Sequence, residues 1–459
     1  MSNWKVMKLS EVATIVGGGT PSSSKSEYFE NGNIPWITPK DLSGYNKRYI
    51  SKGERNITEL GLKNSSAKLL PKNTVLLTSR APIGYVAIAS NEISTNQGFK
   101  SLVLNNGHIP EFFYYLLKNN VHILESRATG STFKEISGKI LKDTELSIPT
   151  PDIQQKIVDI LSPLDDKIEL NTQINQTLEQ IAQALFKSWF VDFDPARAKV
   201  QALSDGMSLK QAELAAMQAI SGKTPEELTA LSQTQPERYS ELAETAKAFP
   251  CEMVEVDGVE VPKGWGKTTL SEICEMQNGY AFKSSEWTDS GIPVIKIGSI
   301  QSKILTVEGN GFVSEDNLSL RSNFVLNDGD IVIGLTGAYV GKVGRMPANK
   351  RAMLNQRVAK FLAKQINESE TFYSFIYMNV IQEEFKNFVD FTAQGSAQPN
   401  ISTKDILKYP LLLANNDVHL AFEKLLKKIL DKSIFNSYQN EILSNSRDLL
   451  LPKLLNGEV

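Results

Sequence analysis

Two stretches of the chain place side chains at alternating steps of three and four, which is the spacing of a helix that packs along one face. The first stretch carries this pattern at Ile157, Ile160, Leu164, Lys167, Asn171, Ile174, Leu178, Ile181 and Leu185. The second, displaced by a constant 265 residues, carries it at Phe422, Leu425, Ile429, Lys432, Asn436, Gln439, Leu443, Ser446 and Leu450. A seven-residue repeat of mainly apolar positions predicts a coiled coil. The Lys and Asn that interrupt both stripes are expected to fix its register.

A different pattern precedes the first of these stretches. Residues 74–78 and 85–89 are rich in β-branched and apolar side chains and are separated by a short segment that contains Gly84. This pattern predicts two strands joined by a turn. Asn105-Asn106-Gly107 marks another turn before residues 111–119, whose apolar content predicts a helix. Short strands mixed with few helices predict an α+β domain.

The chain also repeats itself in sequence. The motif that begins at Trp4 returns at Trp265, Ile34-Pro35 returns as Ile292-Pro293, Gly84 falls opposite Gly341, and Asn96-Gln97 recurs as Asn355-Gln356. These offsets lie between 257 and 261 and keep the order of the chain. Collinear matches of this kind indicate two copies of one unit.

We therefore expect a pseudo-two-fold internal repeat: two similar globular α+β domains separated by two long helices that pair as an antiparallel coiled coil. The expected segments are a first domain, a first long helix, a helical insert, a second domain and a second long helix, at residues 1–150, 151–193, 194–262, 263–410 and 411–459. The insert is acidic, and its many charges favour a solvated spacer without a site of its own.

The distribution of charge changes the picture that the net charge gives. A formal net charge of −3 over 459 residues argues at first against a polyanionic partner. Residues 1–150, however, hold 18 Lys and Arg against 12 Asp and Glu, and residues 331–367 hold seven basic residues and no acidic one. Because a polyanion responds to the local potential, these stretches favour two basic faces that bind nucleic acid.

Several classes of chemistry are disfavoured by the residues present. Two Cys and three His are too few for a zinc ribbon or a disulfide framework, so no metal site is expected. Gly264-Trp-Gly-Lys-Thr resembles the end of a phosphate-binding loop but has Val261 where the first glycine is required. Asp152 and Asp165 are thirteen residues apart on one predicted helix, or about 20 Å, and cannot share one metal ion. The absence of a signal peptide and of an apolar run of 18 residues predicts a cytoplasmic protein without a membrane span.

Motifs in a fixed order extend over nearly the whole chain. They are Gly18-Gly-Thr-Pro-Ser, Ile34-Pro-Trp-Ile-Thr, Asn64-Ser-Ser-Ala-Lys-Leu-Leu-Pro, Ser79-Arg-Ala-Pro-Ile-Gly, Asn96-Gln-Gly-Phe-Lys, Pro149-Thr-Pro, Phe186-Lys-Ser-Trp-Phe-Val-Asp-Phe-Asp-Pro and Pro262-Lys-Gly-Trp. Together with the helical repeat, this series resembles the specificity subunit of Type I restriction-modification enzymes. The insert at residues 194–262 is longer than this resemblance leads one to expect.

The resemblance implies a non-catalytic subunit that sets the DNA specificity of a larger complex. The implied partners are double-stranded DNA, two methyltransferase (modification) subunits and endonuclease/translocase (restriction) subunits, and no membrane. The implied cofactors are S-adenosylmethionine, ATP and Mg, which belong to the complex, and none is expected on this chain. Two similar domains on a rigid rod are expected to read two half-sites about one helical turn, roughly 34 Å, apart. Since the copies differ in their exposed residues, this bipartite site should be asymmetric.

The candidate DNA-binding residues are Arg, Lys and Gln side chains beside predicted turns, because these groups bind base edges and phosphates. In the first domain they are Lys40, Arg80, Gln97, Lys100 and Lys134, and in the second they are Lys296, Lys342, Arg345, Arg351, Gln356 and Arg357. The alternative is that they are solvated charges or structural amides. The repetition of Asn-Gln in both copies favours this alternative for the amides.

The ends of the two long helices carry a second candidate surface. Phe186, Trp189 and Phe190 form an apolar stripe at the end of the first helix, and Leu451, Leu454 and Leu455 occupy the equivalent places in the second. Internal packing would explain these residues. The alternative is that two equivalent stripes dock two copies of one methyltransferase subunit.

Two other functions stay open at this point. A self-contained nuclease or methyltransferase would need a catalytic constellation, which the sequence does not contain. A coiled-coil scaffold that binds only protein would leave the two basic stretches without a purpose.

Overall fold

The computed structural model describes residues 4–130, 134–301, 303–393 and 399–458. The chain forms two compact units. Unit 1 consists of residues 1–170 and 440–459, and unit 2 consists of residues 171–439. Within the described residues, no helix is both long enough and apolar enough to cross a membrane.

Over its described residues, the first copy of the repeat contains ten strands and five short α-helices. The strands are β1 (Trp4–Lys8), β2 (Ala13–Gly17), β3 (Ile34–Ile37), β4 (Tyr49–Ile50), β5 (Arg55–Ile57), β6 (Val75–Ser79), β7 (Ile83–Ala89), β8 (Ser94–Thr95), β9 (Lys100–Leu104) and β10 (Glu145–Pro149). The helices are α1 (Leu9–Val12), α2 (Glu59–Lys63), α3 (Pro110–Asn119), α4 (Val121–Ser126) and α5 (Gly138–Lys142). The long helix α6 (Pro151–Phe190) follows, with proline at its first position, where no backbone N–H is needed.

The insert and the second copy complete the chain. The insert contains α7 (Asp194–Ser204), α8 (Leu209–Ser221), α9 (Pro225–Thr234), α10 (Pro236–Ala248), β11 (Met253–Val256) and β12 (Val259–Pro262). The strands of the second copy are β13 (Gly266–Thr269), β14 (Cys274–Asn278), β15 (Trp287–Thr288), β16 (Ile292–Ile295), β17 (Phe312–Val313), β18 (Val325–Leu326), β19 (Ile331–Gly334), β20 (Val343–Arg345), β21 (Ala352–Leu354), β22 (Val358–Ala363) and β23 (Pro410–Leu413). Its helices are α11 (Asn317–Leu320), α12 (Tyr373–Val380), α13 (Glu383–Thr392), α14 (Thr403–Ile406) and the long α15 (Asn416–Leu455).

The two copies share their strand pairing. β2, β9, β6 and β7 are neighbours in one sheet of the first copy, and β14, β22, β19 and β20 are neighbours in the same order in the second. β3 lies between antiparallel β5 and parallel β8, as β16 lies between antiparallel β17 and parallel β21. The ribbon of β1 with β10 corresponds to that of β13 with β23. The predicted α+β fold with an internal repeat is confirmed.

The repeated Ile-Pro pair shows how closely the two registers agree. Ile34 and Pro35 open β3 and face Ile57 and Asn56, and Ile292 and Pro293 open β16 and face Val313 and Phe312. Gly84 and Gly341 both have a positive φ, at 97° and 74°, which glycine adopts without steric cost.

The long helices contact each other within each unit. In unit 1, Arg447 of α15 donates to Asp165 of α6 over 2.6 Å. In unit 2, Asn436 donates to Asn175 over 2.9 Å and Asn171 donates to Gln439 over 3.3 Å. Residues further along α6 therefore pair with residues earlier in α15. The pairing in unit 2 is antiparallel.

Of the 18 predicted stripe positions along these helices, four are buried, nine are half-buried and five are exposed. Asn171 and Asn436 are buried at matching places, as expected for polar residues that fix a register. Lys167 and Lys432 are exposed instead, and so are Ile160, Ile181 and Leu425. The side chains that face inward are the next ones along, such as Leu161, Ala182 and Leu426. A seven-residue repeat is compatible with either of two adjacent residues as the second inward-facing position of each repeat. The tertiary contacts decide which of the two is buried.

Each unit builds its core from the start of one long helix and the end of the other. In unit 1, Ile157 and Leu161 near the start of α6 share a cluster with Leu454 and Leu455 near the end of α15. In unit 2, Phe422 near the start of α15 shares a cluster with the aromatic end of α6. The two domains are therefore completed by equivalent but exchanged helix ends.

The insert has a small core of its own. Ala216, Met217, Leu228 and Ala246 pack together from three of its helices. Lys199, almost fully buried, donates from Nζ to the carbonyl of Phe249 over 2.6 Å, which satisfies a buried cation at a helix end. The predicted helical insert is thus present, and the division of the chain into five segments stays a prediction.

Candidate nucleic-acid interface

The loops at one edge of the main sheet in the first domain bring several candidate residues together. Gly18 and Gly19, which follow β2, donate backbone hydrogen bonds to Phe99 and Thr95. A Cβ at Gly18 would lie 1.9 Å from the carbonyl oxygen of Asn96, so only glycine permits this approach. The β2 loop is thereby fixed against the loop that carries Gln97.

Three charged residues meet beside this loop. Glu135 lies 3.5 Å from Arg80 and 3.8 Å from Lys100, between their cationic ends. Lys134 precedes Glu135 and is exposed, and Gln97 is exposed and accepts a hydrogen bond from Thr20. The first edge therefore presents Arg80, Gln97, Lys100 and Lys134 together.

Lys40 lies close to the same edge. It follows β3 in a short 3-10 turn, Pro39–Leu42, and pairs with exposed Glu54 over 2.8 Å. A Cβ at Gly98 would lie 2.8 Å from Pro39, so this turn packs beside the Gln97 loop. All five first-domain candidates are thus gathered at one edge.

The second domain repeats this framework with other side chains. A Cβ at Gly279 would lie 1.9 Å from the carbonyl oxygen of Asn355, the same close approach as at Gly18 and Asn96. Leu335 donates to the carbonyl of Arg357, and Gly334 donates to that of Lys342. Lys342 and Arg357 therefore come immediately before β20 and β22, the two strands that flank β19. Both residues lie at the end of the sheet where β19 ends. Both are exposed, as is Gln356.

The aromatic residues near this edge were not expected. Lys296 places its Nζ 3.9 Å from the ring centroid of Trp287, and Arg321 lies 4.4 Å from that of Tyr280. Cation–π contacts of this kind hold basic groups in place at a surface. Tyr280 follows Gly279, and the equivalent position in the first domain is Gly19, so the two edges differ by an aromatic side chain at this position.

The structure does not bring Arg351 to this edge. Arg351 is exposed and lies just before β21, whereas Gln356 and Arg357 lie beyond its other end. A role for Arg351 in DNA binding stays a prediction.

The prediction for Arg345 is wrong. Its side chain is 2% exposed and donates from Nη1 to the carbonyl oxygen of Leu430 over 3.1 Å. The guanidinium also lies 4.5 Å from the ring centroid of Tyr377. Arg345 therefore fastens β20 to the long helix of its own copy and is not available to a phosphate.

Arg48 plays the equivalent part in the first domain. It donates to the hydroxyl of Tyr115 over 3.0 Å and to Asp166 of α6 over 2.6 Å. Arg48 lies just before β4 and Arg345 ends β20, but each binds the first half of the long helix that follows its own domain. Basic composition alone could not separate these anchors from DNA contacts.

The prediction of a docking surface at the helix ends is also wrong. Trp189 is fully buried, and its ring centroid lies 5.6 Å from that of Phe422 and 5.0 Å from that of Phe249. Phe186 and Phe190 are buried in the same cluster. Leu454 and Leu455 are buried in unit 1, and Leu451 packs against them partly covered. The alternative of internal packing is confirmed.

The sequence analysis also missed two polar residues at these edges. Glu135 was passed over because only basic and amide residues beside turns were considered. Asn400, which is exposed, stands 265 residues after Glu135. This offset equals the constant 265 of the two long helices, which is the signal that could have connected them.

Comparison with known proteins assigns this chain to a family. Residues 1–180 and 262–417 match the family described as Type I restriction modification DNA specificity domain. The chain therefore belongs to this family, as its motifs predicted.

Two curated relatives resemble the chain over its full length. The chain is 40% identical to the Type I restriction enzyme HindI specificity subunit of Haemophilus influenzae, with 100% of both chains covered. It is 32% identical to the Type I restriction enzyme MjaIX specificity subunit of Methanocaldococcus jannaschii, covering 100% of this chain and 94% of that protein. The crystal structure of the S subunit of a Type I restriction-modification system from M. genitalium is similar in fold. It superposes with a TM-score of 0.58 at 18% identity and covers 98% of this chain and 96% of that one.

Proposed function

We propose that this chain supplies the DNA sequence specificity of a Type I restriction-modification complex. Each α+β domain reads one half-site through its edge, and the two half-sites are joined by a spacer that is not read. The observation that carries this proposal is the pair of edges with one backbone framework and two sets of exposed polar side chains. Two equal frameworks with unequal side chains are what an asymmetric bipartite site requires.

The side chains divide between two tasks. Exposed lysines such as Lys134 and Lys342 suit the phosphates, which fix the register of a protein on the duplex without reading it. Arg and Gln side chains suit the base edges in the major groove, where each base pair presents a distinct pattern of donors and acceptors. Arg80, Gln97, Gln356 and Arg357 are the candidates for that second task.

The chain acts through partners rather than by catalysis of its own. It positions two methyltransferase subunits and the endonuclease/translocase subunits on the site that it reads. Those subunits bring S-adenosylmethionine, ATP and Mg, and this chain binds none of the three. Because the aromatic helix end is internal, methyltransferase docking uses other surfaces.

The test is to coexpress the chain with the methyltransferase subunits of its own host in cells free of adenine methylation. Sequencing that detects methylated bases should then reveal one asymmetric bipartite sequence with a fixed unread spacer. The same methyltransferase subunits without the chain, and the purified chain alone, should methylate nothing.

Three outcomes would overturn the proposal. They are methylation at a contiguous or symmetric sequence, methyl transfer by the chain alone, and a chain that assembles with its partners without changing where DNA is bound. The last outcome would support the protein-binding scaffold. A gel-shift assay with and without methyltransferase identifies it directly.

A further inference from the structure

One backbone bridge occurs at the same place in both domains. Arg80 and Glu135 form an isolated antiparallel bridge in the first, and Thr336 and Asn400 form one in the second. The flanking hydrogen bonds are also equivalent. Ile136 donates to the carbonyl of Ser79 over 3.0 Å, and Ile401 donates to that of Leu335 over 3.1 Å.

The strand next to the bridge confirms that these positions correspond. Ser79 donates to the carbonyl of Gly98 over 2.7 Å, and Leu335 donates to that of Arg357 over 3.0 Å. The backbone is thus held in one arrangement, while the two side chains on the bridge are an Arg and a Glu in one copy and a Thr and an Asn in the other.

The fold does not need the charged pair. Arg80 and Glu135 are 38% and 39% exposed in their side chains, and their charged atoms lie 3.5 Å apart. Ion pairs this exposed contribute little to stability. The second domain forms the same bridge without any charge, so the pair has no necessary structural role.

A carboxylate at an edge that binds DNA has a restricted range of roles. Phosphates repel it, so Glu135 cannot contact the DNA backbone. Arg80 and Lys100 flank it and offset that repulsion. In the major groove, Glu accepts a hydrogen bond from the exocyclic amine of cytosine, and Arg donates to O6 and N7 of guanine. Both halves of one G·C pair match the two side chains on the bridge.

The second bridge has a different chemistry. Asn400 is exposed, and Asn donates to N7 and accepts from N6 of adenine. The hydroxyl oxygen of Thr336 is buried, which leaves Asn400 as the exposed polar group at this position. The exposed group on this bridge therefore matches an A·T pair rather than a G·C pair.

We propose that this bridge is where the two domains differ in base readout: Arg80 with Glu135 reads a G·C pair in the first half-site, and Asn400 reads an adenine in the second. The inference rests on the proposed function and names which class of base pair each edge selects at one position.

The experiment exchanges the two pairs of side chains within the full methyltransferase complex. One variant carries Arg80→Thr with Glu135→Asn, and the other carries Thr336→Arg with Asn400→Glu. The first should lose its preference for G·C at one position of the first half-site by about 5- to 150-fold, the range for one base contact. The second half-site should stay as it was, and the other variant should show the converse. Methylation sequencing reads both half-sites at once, and competition binding on matched duplexes gives the fold-change.

Two further variants make the test more specific. Glu135→Gln retains the shape of the side chain but adds a donor, and should shift the preference at that position from cytosine towards adenine. Arg197 and Glu260 form another exposed Arg–Glu pair, at 2.5 Å, in the insert. Arg197→Thr with Glu260→Asn is therefore the matched control and should change neither half-site.

The outcomes separate this inference from the function on which it rests. A wild-type complex with a bipartite site, and exchange variants that keep both half-sites unchanged, would overturn the inference alone. A change in the half-site that belongs to the other domain would also overturn it. A wild-type complex without sequence-specific methylation would overturn the proposed function as well.

Discussion

At the first edge, Lys100 opens β9 opposite Gly17, and at the second the equivalent pair is Ala359 and Asn278. The backbone pairing is the same, yet the first edge has a cation where the second has a methyl group. The second edge has its basic groups at other positions, namely Lys342 and Arg357. The comparison teaches that the framework and the side chains presented on it vary independently.

The largest expected effect tests the shared framework. Trp189→Ala removes a fully buried aromatic side chain in unit 2. Leu454→Ala removes the buried leucine at the equivalent position in unit 1. Loss of buried contacts together with the cavity left behind should lower the free energy of unfolding by about 3–5 and 2–5 kcal/mol, respectively. Urea unfolding of the isolated chain measures both.

The control for this pair is Val191→Ala, since that side chain is 54% exposed. It should change stability by no more than about 0.5 kcal/mol. An isolated chain whose stability survives Trp189→Ala would restore the docking interpretation of the helix end.

An intermediate effect separates anchors from DNA contacts. Arg345→Ala leaves the carbonyl of Leu430 without its buried donor and should cost about 1–3 kcal/mol of stability. The dependence of DNA affinity on salt should not change. Lys342→Ala, at the exposed edge, should leave stability unchanged and reduce the slope of log K against log salt by about 0.9, because it removes one phosphate contact.

Fluorescence anisotropy over a salt series, with each variant at a temperature where it is folded, makes this measurement. A reduced slope for Arg345→Ala, or an unchanged one for Lys342→Ala, would reverse the two assignments. Arg351→Ala in the same series decides whether the far end of β21 also meets DNA.

The smallest effect in the native chain is the pH dependence from two buried groups of the second copy, because their contributions oppose each other. Burial raises the pKa of Glu423 from 4.5 to about 7, although the carboxylate accepts hydrogen bonds from the backbone of Ser374 and Phe375. Burial lowers the pKa of His419 from 6.5 to about 3. The equivalent positions in the first copy are Val158 and Gln154, which do not titrate.

The two groups act in opposite directions. Between pH 4.5 and 7, the folded state holds a proton on Glu423 that the unfolded state has released, so this group lowers stability as pH rises. Between pH 3 and 6.5, the unfolded state holds a proton on His419 that the folded state lacks, so stability rises with pH. Their contributions oppose each other from pH 4.5 to 6.5.

Glu423→Gln should uncover the effect of His419. Stability should then rise by up to about 1.4 kcal/mol per pH unit between pH 4.5 and 6.5, relative to the native chain. Urea unfolding across this range measures it, and amide exchange assigned to each unit shows where it acts. A parallel change in unit 1 would contradict the assignment.

The repeat and the long helices could be predicted because their signals are local or periodic. Trp4 and Trp265, or Ile34 and Ile292, recur in order whatever the tertiary structure. The inward face of α6 was harder to predict. Ile160 is apolar and on period, but it is 42% exposed, while Leu161 beside it is buried. Only the packing of a neighbouring element distinguishes two adjacent apolar positions.

The candidate site was predictable in outline and not in detail. Turns with Arg, Lys and Gln led to residues that the structure gathers at one edge, since loops at strand ends carry exposed polar groups; their role in DNA binding stays a prediction. Arg345 was misassigned because its partner, the carbonyl of Leu430, lies 85 residues further along the chain. Glu135 could not be found by a search for basic residues, although its charge partners are the very arginine and lysine that the search selected.

The exchanged helix ends have a consequence for the order of synthesis. The cluster around Ile157 and Leu161 is closed by Leu454 and Leu455, which come after the whole of the second domain along the chain. A ribosome therefore completes the second domain, insert included, before it delivers the last side chains that the first domain needs. Of the two domains, the one made earlier is the later to acquire its full interior.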